Sequence, residues 1–116
     1  MVWCLRCIPL IAVIALNCGA TFGQDTDSAN YVMPACRATL NRDLQTQVLL
    51  PMSMLCAGLV EGIHFAASGV CHDQRVTREQ VLRVVVKYID DRPARLNENF
   101  KALALEALQA AWPCRH

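Results

Sequence analysis

The sequence predicts an all-α fold, a small disulfide-stapled bundle of about four helices. Three observations predict it. Apolar residues recur at spacings of three and four along several stretches of the chain. A Thr77-x-x-Gln80 pattern has the form of a capping box, which marks a helix start. Cys36, Cys56, Cys71 and Cys114 form an even set in what remains once an N-terminal export segment is set aside. The 116 residues allow one domain. A domain of that size buries a limited core, so covalent staples matter.

Residues 1–20 read as a secretory signal peptide. Arg6 supplies the basic start, and Cys7 to Leu16 is an unbroken apolar run. That run is shorter than the roughly 20 residues a bilayer span needs, so it predicts a cleaved export signal and no stable membrane anchor. Cleavage is expected after Ala20, or as late as Gly23. Trp3-Cys4-Leu5-Arg6-Cys7 mimics a redox W-C-x-x-C motif, but no strand precedes it to place the first cysteine at a helix start. Residues 21–30 are polar and are expected to form a loose lead-in to a helical domain spanning 31–116.

The first helix is expected over about Met33–Leu40, with Pro34 in its first turn. The second runs from Gln45 to about Ala67. Val48, Met52, Leu55, Leu59 and Ile63 form its apolar face, and Pro51 either kinks it or marks its true start near Met52. Gly58 and Gly62 lie one turn apart. Each lowers helix propensity by about 1 kcal/mol, so a closely approaching neighbour helix is expected, inside the monomer or across a homodimer. Gly69 closes this helix. The third helix starts at the Thr77 cap and presents Val81, Leu82, Val85, Val86, Tyr88 and Ile89 inward, with Glu79 and Arg83 paired outside. The β-branched run Val84-Val85-Val86 has strand character, but the cap and the helically spaced charges favour helix. Pro93 stops it. The fourth runs from about Asn97 to Trp112, with Phe100, Leu103, Ala107 and Ala111 on one stripe and Leu108 beside it.

Four cysteines allow three connectivities, and all three stay open from sequence. Short connections imply antiparallel neighbours, which favours Cys71–Cys114 and leaves Cys36–Cys56. The charge balance is even: removing residues 1–20 takes only Arg6 from the 11 cations and leaves ten against ten acids. Nothing there calls for nucleic acid as a partner. The cysteines after residue 20 lack zinc-type spacing, no cofactor motif occurs, and no nucleophile, base or phosphate-cradling pattern is present. Cys71-His72 is adjacent in sequence, but a disulfide removes the thiolate that catalysis needs. Asp90 and Asp91 close the third helix and read first as a solvated helix end; pairing with Arg92 or Arg95, or a place in an interface, is the alternative. No enzyme is predicted.

A resemblance is carried by an ordered set of residues. Cys36, Cys56-Ala57-Gly58-Leu59-Val60-Glu61-Gly62, Cys71 with Val76-Thr77, Val84 to Ile89 before Arg92-Pro93, and Trp112-Pro113-Cys114 together resemble the Rap/Tai-type immunity proteins of type VI secretion systems. The likeness spans roughly Tyr31 to Cys114. It implies a small periplasmic helical protein with two disulfides, which binds and blocks a peptidoglycan amidase effector without catalysis. The chain departs from the pattern at Asp73, where such proteins often carry a proline. His72, Asp73, Gln74, Arg75, Arg92 and Arg95 are the candidate partner contacts, because they occupy polar loops beside rigid elements. The alternative is a small periplasmic acid-stress chaperone or a structural envelope protein. The scattered carboxylates and histidines argue against the acid-stress reading, since acid activation needs them clustered.

Overall fold

The computed structural model describes residues 25–42, 49–72 and 74–115. Four helices run in the order α1 (Ala29–Asn41), α2 (Leu49–Ala66), α3 (Arg78–Asp90) and α4 (Phe100–Ala111), with a 3₁₀ turn at Pro93–Arg95 between α3 and α4. No strand occurs among the described residues; two isolated bridges, Ser28 with Asn99 and Val70 with Pro113, tie loops together. The signal-peptide reading of residues 1–20 lies outside the described residues. Among these residues no helix is long and apolar enough to cross a membrane.

Helix α3 forms where the sequence places it. The Gln80 amide donates to Thr77 Oγ1 at 3.2 Å, and Gln80 Oε1 accepts from the Thr77 amide at 2.8 Å. Two otherwise orphaned donors are thereby satisfied. Val81, Leu82, Val85, Val86 and Ile89 are buried, while Tyr88 is half-buried. Helix α4 starts later than expected, at Phe100, because Asn99 caps it: its Oδ1 accepts from the amides of Lys101 and Ala102. Ala111 is exposed, so the buried stripe ends at Leu108.

Helix α1 corrects the expected boundary. It begins at Ala29, and Pro34 falls in its second turn instead of its first. The cause is tertiary. The amides of Ala29 and Asn30 donate to the carbonyls of Glu98 and Leu96 at 2.9 and 2.7 Å, and the Phe100 amide donates to Asp27 O at 2.7 Å. The first two orphan donors are met by the turn before α4, not by a capping side chain, and the Tyr31 and Val32 amides donate to Ser28 O. The expected loose lead-in therefore does not extend over residues 25–30, which are hydrogen-bonded into the fold.

Helix α2 begins at Leu49, with Pro51 in its first turn, where a missing amide costs nothing. Its buried face differs from the expected one. Ser53, Cys56 and Val60 are buried; Leu59 and Ile63 pack at the margin; Leu55 is exposed. The face is turned by about one residue, roughly 100°. Gly58 and Gly62 bear on the two alternatives the sequence leaves open. Both are exposed, and a Cβ at either would meet nothing within 4 Å, so among the described residues no helix approaches them. Gly69, by contrast, adopts φ +84° after α2, a conformation that favours glycine.

α1 packs chiefly on α2, and α3 on α4. One core joins them: Met33, Val32, Phe100, Ile89, Leu103, Leu108 and Val85 are almost wholly excluded from solvent. Two disulfides staple the pairs. Cys36 and Cys56 join α1 to α2 with Cα atoms 5.4 Å apart. Cys71, ahead of α3, joins Cys114, beyond α4, at 4.8 Å. The Cys71 amide donates to Trp112 O at 2.8 Å, which closes the same end. Asp90 and Asp91 are exposed, as expected of a solvated helix end, and pair with Arg37 and Lys87 instead of the alternative partners Arg92 and Arg95. Asp90 lies nearer α1 than the next turn, and Lys87 lies one helical turn from Asp91.

Candidate partner-binding surface

The loop after Cys71 is pinned at its base by the Cys71–Cys114 disulfide. His72 leaves it toward α2 and stacks on His64, with ring centroids 3.8 Å apart. The Trp112 ring lies 5.9 Å from His64, tilted by 56°. Gln74 and Arg75 are exposed; Asp73 lies outside the described residues.

His64 is half-buried. Its Nε2 is shut off from solvent and has no hydrogen-bond partner. Burial holds its imidazole below the ordinary pKa, His72 pushes the same way, and Glu61 opposes.

Arg92 and Arg95 sit at the opposite end of the α3–α4 pair, half-buried, with their guanidinium groups bonded to the protein itself. The Arg92 guanidinium lies 3.6 Å from the centroid of the Tyr88 ring and donates to Tyr88 O at 2.8 Å. Arg95 donates to Glu98 and Glu106 together, at 2.7 to 3.0 Å. Tyr88 completes the set by donating its hydroxyl to Glu106 Oε2 at 3.1 Å. The Arg95 hydrogen bonds hold both carboxyls below their usual range and hold the Arg95 guanidinium firmly charged. These groups brace the turn into α4. The structure thus separates the predicted contacts: the His72 loop and the Arg92–Arg95 turn lie about a helix length apart, near 20 Å for thirteen residues.

A third surface surrounds Gly58 and Gly62, which the sequence marks as a contact side without showing which apolar residues it exposes. The outer face of α2 exposes Leu50, Met54, Leu55 and Phe65, the last at 91%. Gly58 and Gly62 lie between them, and Glu61 is the charged residue on that face. A helix apolar all round ordinarily has a partner on each side. The signal was available: α2 lacks the apolar–charged alternation that defines α3.

Beside this face a crevice of about 250 Å³ opens between the end of α1, α2 and the start of α3. His64 lines it, and Leu40, Val60, Val81 and Leu82 contribute apolar walls. Its rim carries the Arg78–Glu61 ion pair at 2.8 Å. Among the described residues no cluster of three or more potential metal ligands occurs.

A family model described as Rap1a immunity proteins matches residues 28–114. The chain belongs to the Rap1a immunity protein family. No curated protein and no solved structure matched it. The matched span runs from Ser28, which precedes α1, to Cys114, which closes the second disulfide. It therefore includes the whole Rap1a bundle, both loops, the α2 face and the crevice. An immunity protein of this family acts on an effector partner by binding it. For a Rap1a protein the relevant geometry is consequently surface and rigidity.

Proposed function

We propose that this Rap1a-family protein is exported to the periplasm and there binds and blocks a peptidoglycan amidase effector of type VI secretion, one inhibitor per toxin and without catalysis. The family match over residues 28–114 carries the reading. The stapled frame supports it. Two disulfides and a continuous core hold the loops before binding, and preorganisation lowers the entropic cost of association. The loop His72 to Arg75 is the proposed effector contact, while Arg92 and Arg95 support the turn beside them.

In the same reading two copies pair through the outer face of α2. Gly58 and Gly62 leave room for a second helix to approach closely, and Met54 and Phe65 flank the gap. Met54→Asp and Phe65→Asp alter side chains that touch little inside the monomer. They are expected to turn a concentration-dependent dimer into a folded monomer in sedimentation.

The test of the main reading is a rescue assay. Cells export amidase effectors to the periplasm with and without this protein, and lysis is followed by turbidity. Protection against one effector, lost when residues 1–20 are deleted, is the expected result. Lysis unchanged across the panel, with the oxidised protein present, would refute an amidase-directed role.

A further inference from the structure

His64 and His72 meet because the fold brings the stretch after Cys71 against α2, where the two ring centroids lie 3.8 Å apart. Both ends of that stretch are fixed. The Cys71–Cys114 disulfide and the Cys71 amide, bonded to Trp112 O, hold its start. Val76 packs on the core and Thr77 caps α3, which holds its end. Between these anchors His72 and Gln74 are exposed, and the ring contact lays the stretch on α2.

The contact suits neutral rings and resists a proton on His64. An imidazolium has two N–H donors, and each needs an acceptor or water. His64 Nε2 is shut off from solvent and has no partner, so a charged His64 leaves a buried N–H unpaired unless its cover moves. The neighbouring charges do little to offset this. Glu61, on α2 itself, favours the proton, but Arg78 of α3 already holds its carboxylate at 2.8 Å. Arg42 from the end of α1 and Glu79 from α3 line the same crevice as His64, and Arg83 engages Glu79. His72, from the loop, opposes the charge. Trp112, the ring from the end of α4, does not titrate.

We propose that the His64–His72 contact is an acid-released latch: with neutral rings it lays the stretch after Cys71 on α2, and protonation of His64 frees His72 and Gln74 to leave α2 while the disulfide keeps Cys71 in place. Opening gives His64 water, so the open form binds the proton more readily than the closed one. Between the titrations of the two forms, the open-to-closed ratio rises about tenfold for each unit by which pH falls. The response is local, because among the described residues the buried core holds no side chain that titrates. Weaker effector binding in mild acid is the consequence, and that consequence rests on the proposed function; the latch itself does not.

The test is NMR on the oxidised protein from about pH 8 to about pH 5, a range that brackets the ordinary histidine value, with no effector present. The His64 and His72 ring signals and the Gln74 amide are expected to change with one midpoint, below the ordinary 6.5 of His64. Relaxation of the Gln74 amide is expected to show faster motion at the acid end, while the amides of the buried Val32 and Leu103 stay as they are. His64→Phe keeps an uncharged ring and removes the transition at Gln74. His72→Ala leaves Gln74 mobile at every pH and returns His64 toward its ordinary titration. The wild-type titration needs neither variant, so a folding failure of one leaves the test intact. A Gln74 amide as ordered in acid as at neutral pH, or a transition that persists in His64→Phe, overturns the latch. An effector neutralised in cells beside that result leaves the immunity reading standing; a latch seen by NMR with no effector neutralised removes that reading alone.

Discussion

His64 on α2 and His72 in the loop after Cys71 are in ring contact, centroids 3.8 Å apart and planes tilted by 38°. The contact fastens the candidate effector loop to the longest helix, and it favours uncharged rings. Burial and His72 hold the His64 pKa below its ordinary 6.5. Between the two values the unfolded chain binds a proton that the folded chain does not, so stability rises with pH through that window. The contribution is complete above about 6.5 and is lost as pH falls toward the folded value. Urea midpoints are expected to drop between about pH 8 and about pH 5, a range above the ordinary carboxylate pKa values. His64→Phe should flatten that slope. A slope unchanged in the variant would assign it to other groups.

Gly58 and Gly62 weaken α2 without serving a close contact among the described residues. A Cβ at either meets nothing within 4 Å, so Gly58→Ala and Gly62→Ala add helix propensity without a clash. Each is expected to stabilise the folded monomer by about 1 kcal/mol, read as a higher melting temperature in dilute solution. Destabilisation by either alanine would mean that something packs closely on this face. Gly58→Leu separates the two roles: it leaves the monomer folded and prevents close approach of a second α2.

The contrast between α2 and α3 shows what the sequence makes legible. In α3 the cap, the buried valines and the Glu79–Arg83 pair all point to one register, and the fold obeys it. In α2 apolar residues occupy every side, so several faces look equally suited to burial. The choice falls to Cys56, drawn inward to Cys36, and to the neighbours of Val60. The start of α1 was hidden for another reason. Its first amides are satisfied by carbonyls of Leu96 and Glu98, far along the chain, and no local capping pattern records that. The candidate site divides in the same way. The His72 loop was visible as a polar stretch pinned by a cysteine. The crevice was not, because its walls come from three helices that only the tertiary fold brings together.

The two disulfides are expected to differ in accessibility. Cys36 and Cys56 have no solvent exposure, whereas Cys71 is exposed and Cys114 half-buried. Mild reductant should therefore open Cys71–Cys114 first, detected by alkylation and mass analysis. Cleavage of a native disulfide in a small exported domain costs about 2–5 kcal/mol. Cys71–Cys114 also spans the longer segment, 43 residues against 20, and longer loops gain more from closure. Its loss should release the His72 loop and weaken partner binding before the α1–α2 pair separates. Reduction of Cys36–Cys56 at the same rate would contradict the burial.

Arg95 is expected to be the most consequential charged residue of the turn into α4. Its guanidinium bonds two carboxylates at once, Glu98 beside it and Glu106 one helix onward, and Glu106 in turn accepts from Tyr88. Arg95→Ala removes the shared donor and leaves Glu98 and Glu106 facing one another, so the melting temperature at neutral pH should fall. Arg95→Lys should restore little, because one ammonium cannot serve two carboxylates with a planar fork. The pH dependence follows from the same contacts. Arg95 holds both carboxyls below their ordinary 4.5, so the network stabilises above that value and its contribution is lost as pH falls through the lower, folded values. Wild type and Arg95→Ala should converge in strong acid and also in high salt, since these groups are open to solvent. Arg83→Ala is the control. It breaks one exposed pair with Glu79 within α3, and a pair of that kind contributes little. Equal melting temperatures for Arg95→Ala and Arg83→Ala at neutral pH would show that the turn does not depend on the network.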